Sequence, residues 1–169
     1  TDAEIFQALD IAWRHGWQKI KMYFMVGLPG ATMADVEAIV LLLEKILATA
    51  KARKVRVGIH ASFSSFVPKP HTPLQWAARA NSAGLEEKMS LIKNRLKRHK
   101  NIDLDLHSVA RGMIETILAR GDARVGEILL QAFQRGETFT AWDVHFHSPV
   151  WEELVGLAAG ADFLREFPL

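Results

Sequence analysis

The stretch "KMYFMVGLPGAT", Lys21 to Thr32, decides the fold class. Met22 to Val26 is apolar at both parities, the pattern of a parallel strand covered on both faces. It stops at Gly-Leu-Pro-Gly. Gly27 lets a neighbour approach the backbone, Pro29 sets φ, and Gly30 permits the chain to reverse. Thr32 is then a good N-cap, with Asp35 in the first turn of a helix. Strand, constrained turn and capped helix make one βα unit.

Working outward, Thr1 and Glu4 form a T-x-x-E capping box. The box predicts a helix to about His15, ended at Gly16, with a strand from Ile20 to Val26 beyond it. After Thr32, apolar residues from Val36 to Ala50 recur at helical spacing up to about Ala52. Val55, Val57, Ile59, Ala61 and Phe63 then alternate with Arg56, Gly58, His60, Ser62 and Ser64, which predicts a second strand. "FVPKPHTPLQW" is too rich in proline for a helix or a central strand. A third helix is expected over Gly84–His99 and a third strand in "NIDLDLHS". Two further helices follow, Val109–Arg120 and about Ala123–Arg135, then a mixed loop and helix over 142–159.

This order predicts α/β architecture: a partial (β/α) barrel fragment, about three parallel strands with flanking helices. In strands two and three one parity is aliphatic, while the other carries Arg56, His60, Ser62, Asp103, Asp105 and His107. Burying those groups against apolar helices would be costly. A sheet curved around a wet lumen accommodates them, and so does an exposed sheet face.

Composition narrows the function. The chain has 169 residues, 49% hydrophobic and 24% charged, enough for a real core. There is no cysteine, which excludes disulfides, thiolate nucleophiles and cysteine-ligated metal on this chain. A net charge of +2 does not by itself argue for nucleic acid. No apolar run approaches the roughly 20 residues of a membrane span, and no leader pattern is seen, so no membrane partner and a cytoplasmic location are expected.

Ligands of parallel α/β folds bind at the C-terminal strand ends. "VGLPGAT" and "FVPKPHTP" lie at two successive ends. Each alone reads as a tight turn. Together, G-[LF]-P-G-x-T and aromatic-x-P-[KR]-P-x-T-P resemble the second half of the barrel of the radical S-adenosylmethionine (radical SAM) superfamily. The longer forms "KIKMYFMVGLPGAT", "SSFVPKPHTPLQW" and "ARGDARVGEIL" look more specifically like an Fe–S oxidoreductase group with a cobalamin-binding-like N-terminal segment. The match runs from Thr1 to about Gly136. It divides the chain into 1–140, the C-terminal half of a (β/α)6 barrel, and 141–169, a helical extension.

The resemblance implies a 4Fe–4S cluster that binds and cleaves SAM to a 5′-deoxyadenosyl radical, which abstracts hydrogen from a substrate. Cobalamin is a candidate further cofactor. Residue by residue it implies Met25, Val26 and Gly27 against the adenosyl portion, and Phe66 and Val67 at the adenine. Pro29, Pro68, Pro70 and Pro73 would hold those turns. The family's Cys-x3-Cys-x2-Cys loop is missing. No metal ligand and no catalytic residue is therefore assigned on this chain. Together with the start at Thr1, in a helix already under way, this suggests a piece of a longer enzyme, inactive alone. The exposed strand edge left by the missing N-terminal half predicts self-association.

Other residues are candidates for chemistry. His60 and His107 are candidate substrate contacts on the polar parity. "HFH", His145 to His147, with Asp143 has the form of a metal site but reads more simply as loop histidines. "KNRLKRHK", Lys93 to Lys100, is a candidate RNA contact, although cations at a helix C-terminus have an electrostatic reason of their own. Trp13, Trp17, Trp76, Trp142 and Trp151 read as packing residues. Asp103 and Asp105 have no obvious partner and read as solvated carboxylates. The alternative function is a stand-alone α/β binding or interaction module without catalysis, with RNA as a candidate partner.

Overall fold

A computed structural model describes residues 1–138, 140, 145–157 and 163–164. The elements run α1 (Asp2–Arg14), β1 (Lys19–Val26), α2 (Met33–Ala52), β2 (Gly58–Ser65), α3 (Ser82–Leu96), β3 (Ile102–Leu106), α4 (Val109–Arg120), α5 (Arg124–Gln134) and α6 (Ser148–Leu157). The strands are parallel in one open sheet of order β1-β2-β3, flanked by helices, as a partial β/α fold requires. The chain divides into two compact units. The first comprises Thr1–Val26, Gly30–Ser64 and Ala83–His107; the second comprises Gly27–Pro29, Ser65–Ser82 and Ser108–Leu169.

In the first unit the local signals act as the sequence suggests. Glu4 and Thr1 close the capping box of α1, and Gly16 leaves the helix at φ +81°. Asp35 accepts from both the amide and the hydroxyl of Thr32 at the start of α2. The stripes of α2 (Val36, Val40, Leu43, Ile46, Ala50) and α3 (Leu85, Met89, Ile92, Leu96) are buried, as are Ile59, Ala61 and Phe63 of β2. Each Val, Leu, Ile, Met or Phe side chain among them contributes about 1.5–3 kcal/mol by leaving water. Phe24 stacks on Phe63 with ring centres 5.0 Å apart, so the even parity of β1 shares that apolar face.

The odd parity of β1 is not covered. Tyr23 is 73% exposed and Met25 49%, which corrects the expectation of a strand buried on both faces. An apolar residue at every position does not distinguish a central strand from an outer one with an open face. A second correction concerns β2, which begins at Gly58 and not at Val55. The Val55 amide turns back to the Ala50 carbonyl (2.9 Å) to close α2, with Lys54 in the left-handed region at φ +56°.

In the second unit, α6 packs on α4 and α5. Met113, Ile114, Ile117, Val125, Ile128, Trp151, Leu154 and Phe163 share one core. Two buried charged groups are wired into this unit. The Glu137 carboxylate accepts from the Trp151 indole (2.8 Å) and from His147 Nδ1 (2.5 Å). Arg79 donates to the Val109 carbonyl at the start of α4 (2.7 Å). Burial holds the Arg79 guanidinium below its ordinary value. The expected C-terminal helix is α6; 141–144 and 158–159 lie outside the described residues.

Candidate functional site

The register of β2 against β3 assembles the polar groups of the first unit. Ile59 pairs with Ile102, His60 with Asp103, Ala61 with Leu104 and Ser62 with Asp105. Side chains alternate along each strand, so His60, Ser62, Asp103 and Asp105 share one face. His60 Nδ1 lies 2.7 Å from Asp103 Oδ2. The Ser62 hydroxyl donates to Asp105 Oδ2 at 2.9 Å. The His107 amide donates to the Phe63 carbonyl (2.9 Å), carrying the ladder one residue past β3. Its ring then lies on the polar face, with Nε2 3.3 Å from Ser62 Oγ.

Proton bookkeeping assigns the rings. A carboxylate only accepts, so Asp103 takes the Nδ1 proton of His60 and leaves Nε2 as an acceptor. Ser62 gives its proton to Asp105, so its oxygen accepts from His107 Nε2–H, and His107 Nδ1 is left as the second acceptor. By the β2–β3 register His107 falls level with Ser64, four residues beyond His60. At a strand rise of about 3.3 Å per residue, the backbones of the two histidines sit roughly 13 Å apart along the sheet, and the His107 ring reaches back to Ser62. A small molecule lying along the sheet can meet both.

Both histidines expected to contact substrate therefore stand on one open face, and each has an acidic or hydroxyl partner. Asp103 and Asp105, read as partnerless in the sequence, are those partners. Matching alternations, His-x-Ser on one strand and Asp-x-Asp-x-His on the next, were the available signal. Tyr23 and Met25 extend the face along β1.

The five residues expected at SAM are divided between the two units. Met25 and Val26 close β1 in the first unit, Met25 half exposed and Val26 buried. Gly27, at φ +83°, belongs to the second unit with buried Phe66 and half-buried Val67. For the iron–sulfur cluster the residues present do not fit. The chain has no cysteine, and among the described residues no group of three His, Asp or Glu is placed to hold a metal. Of the "HFH" candidates, His147 is bound to Glu137, and Asp143 lies outside the described residues.

The "KNRLKRHK" segment is partly neutralised. Arg95 (3.1 Å), Arg98 (2.8 Å) and His99 (3.3 Å) converge on the Glu44 carboxylate. The Arg98 bond above all holds Glu44 below the usual carboxylate range, against the opposing effect of burial. Trp13 and Trp151 are buried packing residues; Trp17 and Trp76 are exposed; Trp142 lies outside the described residues.

Among the described residues no helix is long and apolar enough to cross a membrane. No protein-family model and no solved structure matches the chain. It is similar to an uncharacterised protein of Methanocaldococcus jannaschii, with 30% identity over 128 residues. The match covers 76% of this chain but 27% of that protein, so the chain spans about a quarter of its relative's length.

Proposed function

We propose that this chain is the rear part of the barrel of a longer, cytoplasmic radical SAM enzyme and supplies part of its substrate wall. One observation carries the reading: a parallel sheet with one apolar buried face gathers on its other face a register-matched row of His60, Asp103, Asp105 and His107, with the buried Ser62 hydrogen-bonded between them. Such a row suits the wall of a wet cavity far better than a packed core. On a cluster held by the rest of the parent enzyme, one-electron reduction would cleave SAM to methionine and the radical that abstracts hydrogen. No residue of this chain fits the cluster, so its contribution is confined to holding substrate. Asp103 fixes the His60 tautomer and orients the ring, so that Nε2 accepts a hydrogen bond or a proton from a hydroxyl or amine. His107 offers Nδ1 in the same way, backed by Ser62 and Asp105.

The test uses the longer parent polypeptide, purified anaerobically and reconstituted with iron and sulfide. With SAM and dithionite it should show a 4Fe–4S spectrum and release 5′-deoxyadenosine, while the 169-residue chain alone releases none. A parent that binds no cluster, or that leaves SAM intact, overturns the proposal in favour of a binding module.

A further inference from the structure

Beside the polar row, the first unit has a concentration of cations, unpaired among the described residues, around two hollows, the larger of them lined in part by His60 and Asp103. These adjoining hollows, about 410 and 860 Å³, open at the N-terminal ends of the strands. They share Arg56, Val57, Lys100 and Asn101. The smaller has an apolar floor of Leu47, Ala50, Val55 and Val57 and a rim that includes Lys51, Arg56 and Lys100. Lys19 and Lys21 line the larger.

The charge here is one-sided. No acidic residue lines the smaller hollow, and the Asp103 that lines the larger is taken by His60. Arg98 and His99, also at the smaller hollow, are bound to Glu44. Among the described residues Lys19, Lys21, Lys51, Arg56 and Lys100 have no carboxylate partner. Five uncompensated cations at one end of a chain with net charge +2 make a concentrated positive field. The α2 macrodipole gives Lys51, in that helix's last turn, a reason of its own, but it does not account for the whole set. The last carbonyls of α2 already accept from the Arg53, Lys54 and Val55 amides, and the end of α3 from those of Lys97 and His99. Lys19, Lys21 and Arg56 lie on no helix.

We infer that the smaller hollow binds a small organic phosphate, its anionic head held by Lys51, Arg56 and Lys100 and its carbon skeleton laid on Val55, Val57 and Leu47. The volume lies in the range of small-molecule sites. Arginine and lysine side chains supply the donors that phosphate oxygens accept. Single-stranded nucleic acid is disfavoured because neither hollow has Phe, Tyr or Trp in its lining on which bases could stack. This site does not depend on the radical SAM proposal and stands or falls separately.

The test titrates the 169-residue chain with ADP and with pyrophosphate by calorimetry at low ionic strength. Saturable one-to-one binding is expected. Arg56→Gln and Lys100→Gln should each weaken it by about tenfold or more, as expected for a lost charge-assisted hydrogen bond. Lys93→Gln, outside both hollows, should leave it unchanged. Amide shifts in the unmodified protein, independent of any variant's folding, should cluster at 47–57 and 98–101. No saturation by either probe, shifts elsewhere, indifference to both substitutions, or much tighter binding of a uridine oligonucleotide would each overturn the inference.

Discussion

Gly112 on α4 shows how closely the second unit is fitted around single atoms. A Cβ built there would lie 2.2 Å from Ser65 Oγ but 3.6 Å from Ser65 Cβ. The obstacle is therefore one hydroxyl. Gly112→Ala should destabilise the protein by about 1–3 kcal/mol, the usual cost of overpacking a filled site. Adding Ser65→Ala should recover most of that loss in urea denaturation, because the remaining contact is ordinary. A double variant no more stable than Gly112→Ala alone would refute this account. The polar face is likewise a matter of single atoms. Asp103→Asn replaces an acceptor-only group with an amide, which can present Nδ2 to His60 and release the ring to its other tautomer. Nitrogen-15 NMR of the His60 ring should show Nδ1 as the protonated nitrogen in the natural protein and a mixture in the variant. The same spectrum in both would remove Asp103 from its positioning role. The residues of this face were legible in the sequence, since a period of two sorts them. Their pairing was not. A shift of two residues keeps the same face and would set His60 against Asp105, and only the seating of β3 on β2 decides between the two.

At the scale of elements, β1 is the informative case. Its capped, glycine-bounded βα unit was legible because each signal is local: Thr1 with Glu4, Gly16, Thr32 with Asp35. Its exposure was not, because burial depends on what lies across the sheet, and the apolar Met22–Val26 run looks alike in either setting. As an outer strand of a sheet ordered β1-β2-β3, it has ladder groups with no partner strand on one side among the described residues. Lys19 and Lys21 protect its first half by charge, whereas Tyr23 and Met25 leave the second half apolar and open. Association is therefore expected at the Tyr23–Met25 end. Sedimentation velocity should show an average mass that rises with concentration, and Tyr23→Lys with Met25→Lys should return it towards the monomer. A strict monomer at high concentration, or association indifferent to those changes, would argue against edge pairing.

For the whole molecule the same electrostatic device recurs in each unit: one sheltered carboxylate held ionised by several donors. In the first unit Glu44 receives Arg95, Arg98 and His99. In the second, burial pushes Glu137 up, but the bonds from His147 and Trp151 outweigh it and leave the group below its usual value. Neither was legible in the sequence, where Glu44 is one acidic residue on a helix and Glu137 follows a glycine; the donors arrive from distant segments. Both carboxyls are depressed in the folded state, so folding favours the deprotonated form. The stabilisation is complete above the unfolded value of about 4.3 and is lost as pH falls through the lower folded values. Urea stability should thus be insensitive to these groups from pH 7 to about 5 and decline below about 4. General acid expansion contributes as well, because the 19 Asp and Glu neutralise while 21 Lys and Arg remain charged. Glu137→Gln separates the two effects. It should cost about 1–3 kcal/mol at neutral pH, since an amide cannot accept all the donors that the carboxylate does. It should also make the acid limb shallower, leaving the part that arises from net charge. An acid limb as steep as that of the natural protein would mean that Glu137 titrates no differently folded than unfolded, and that its buried bonds do not contribute to acid sensitivity.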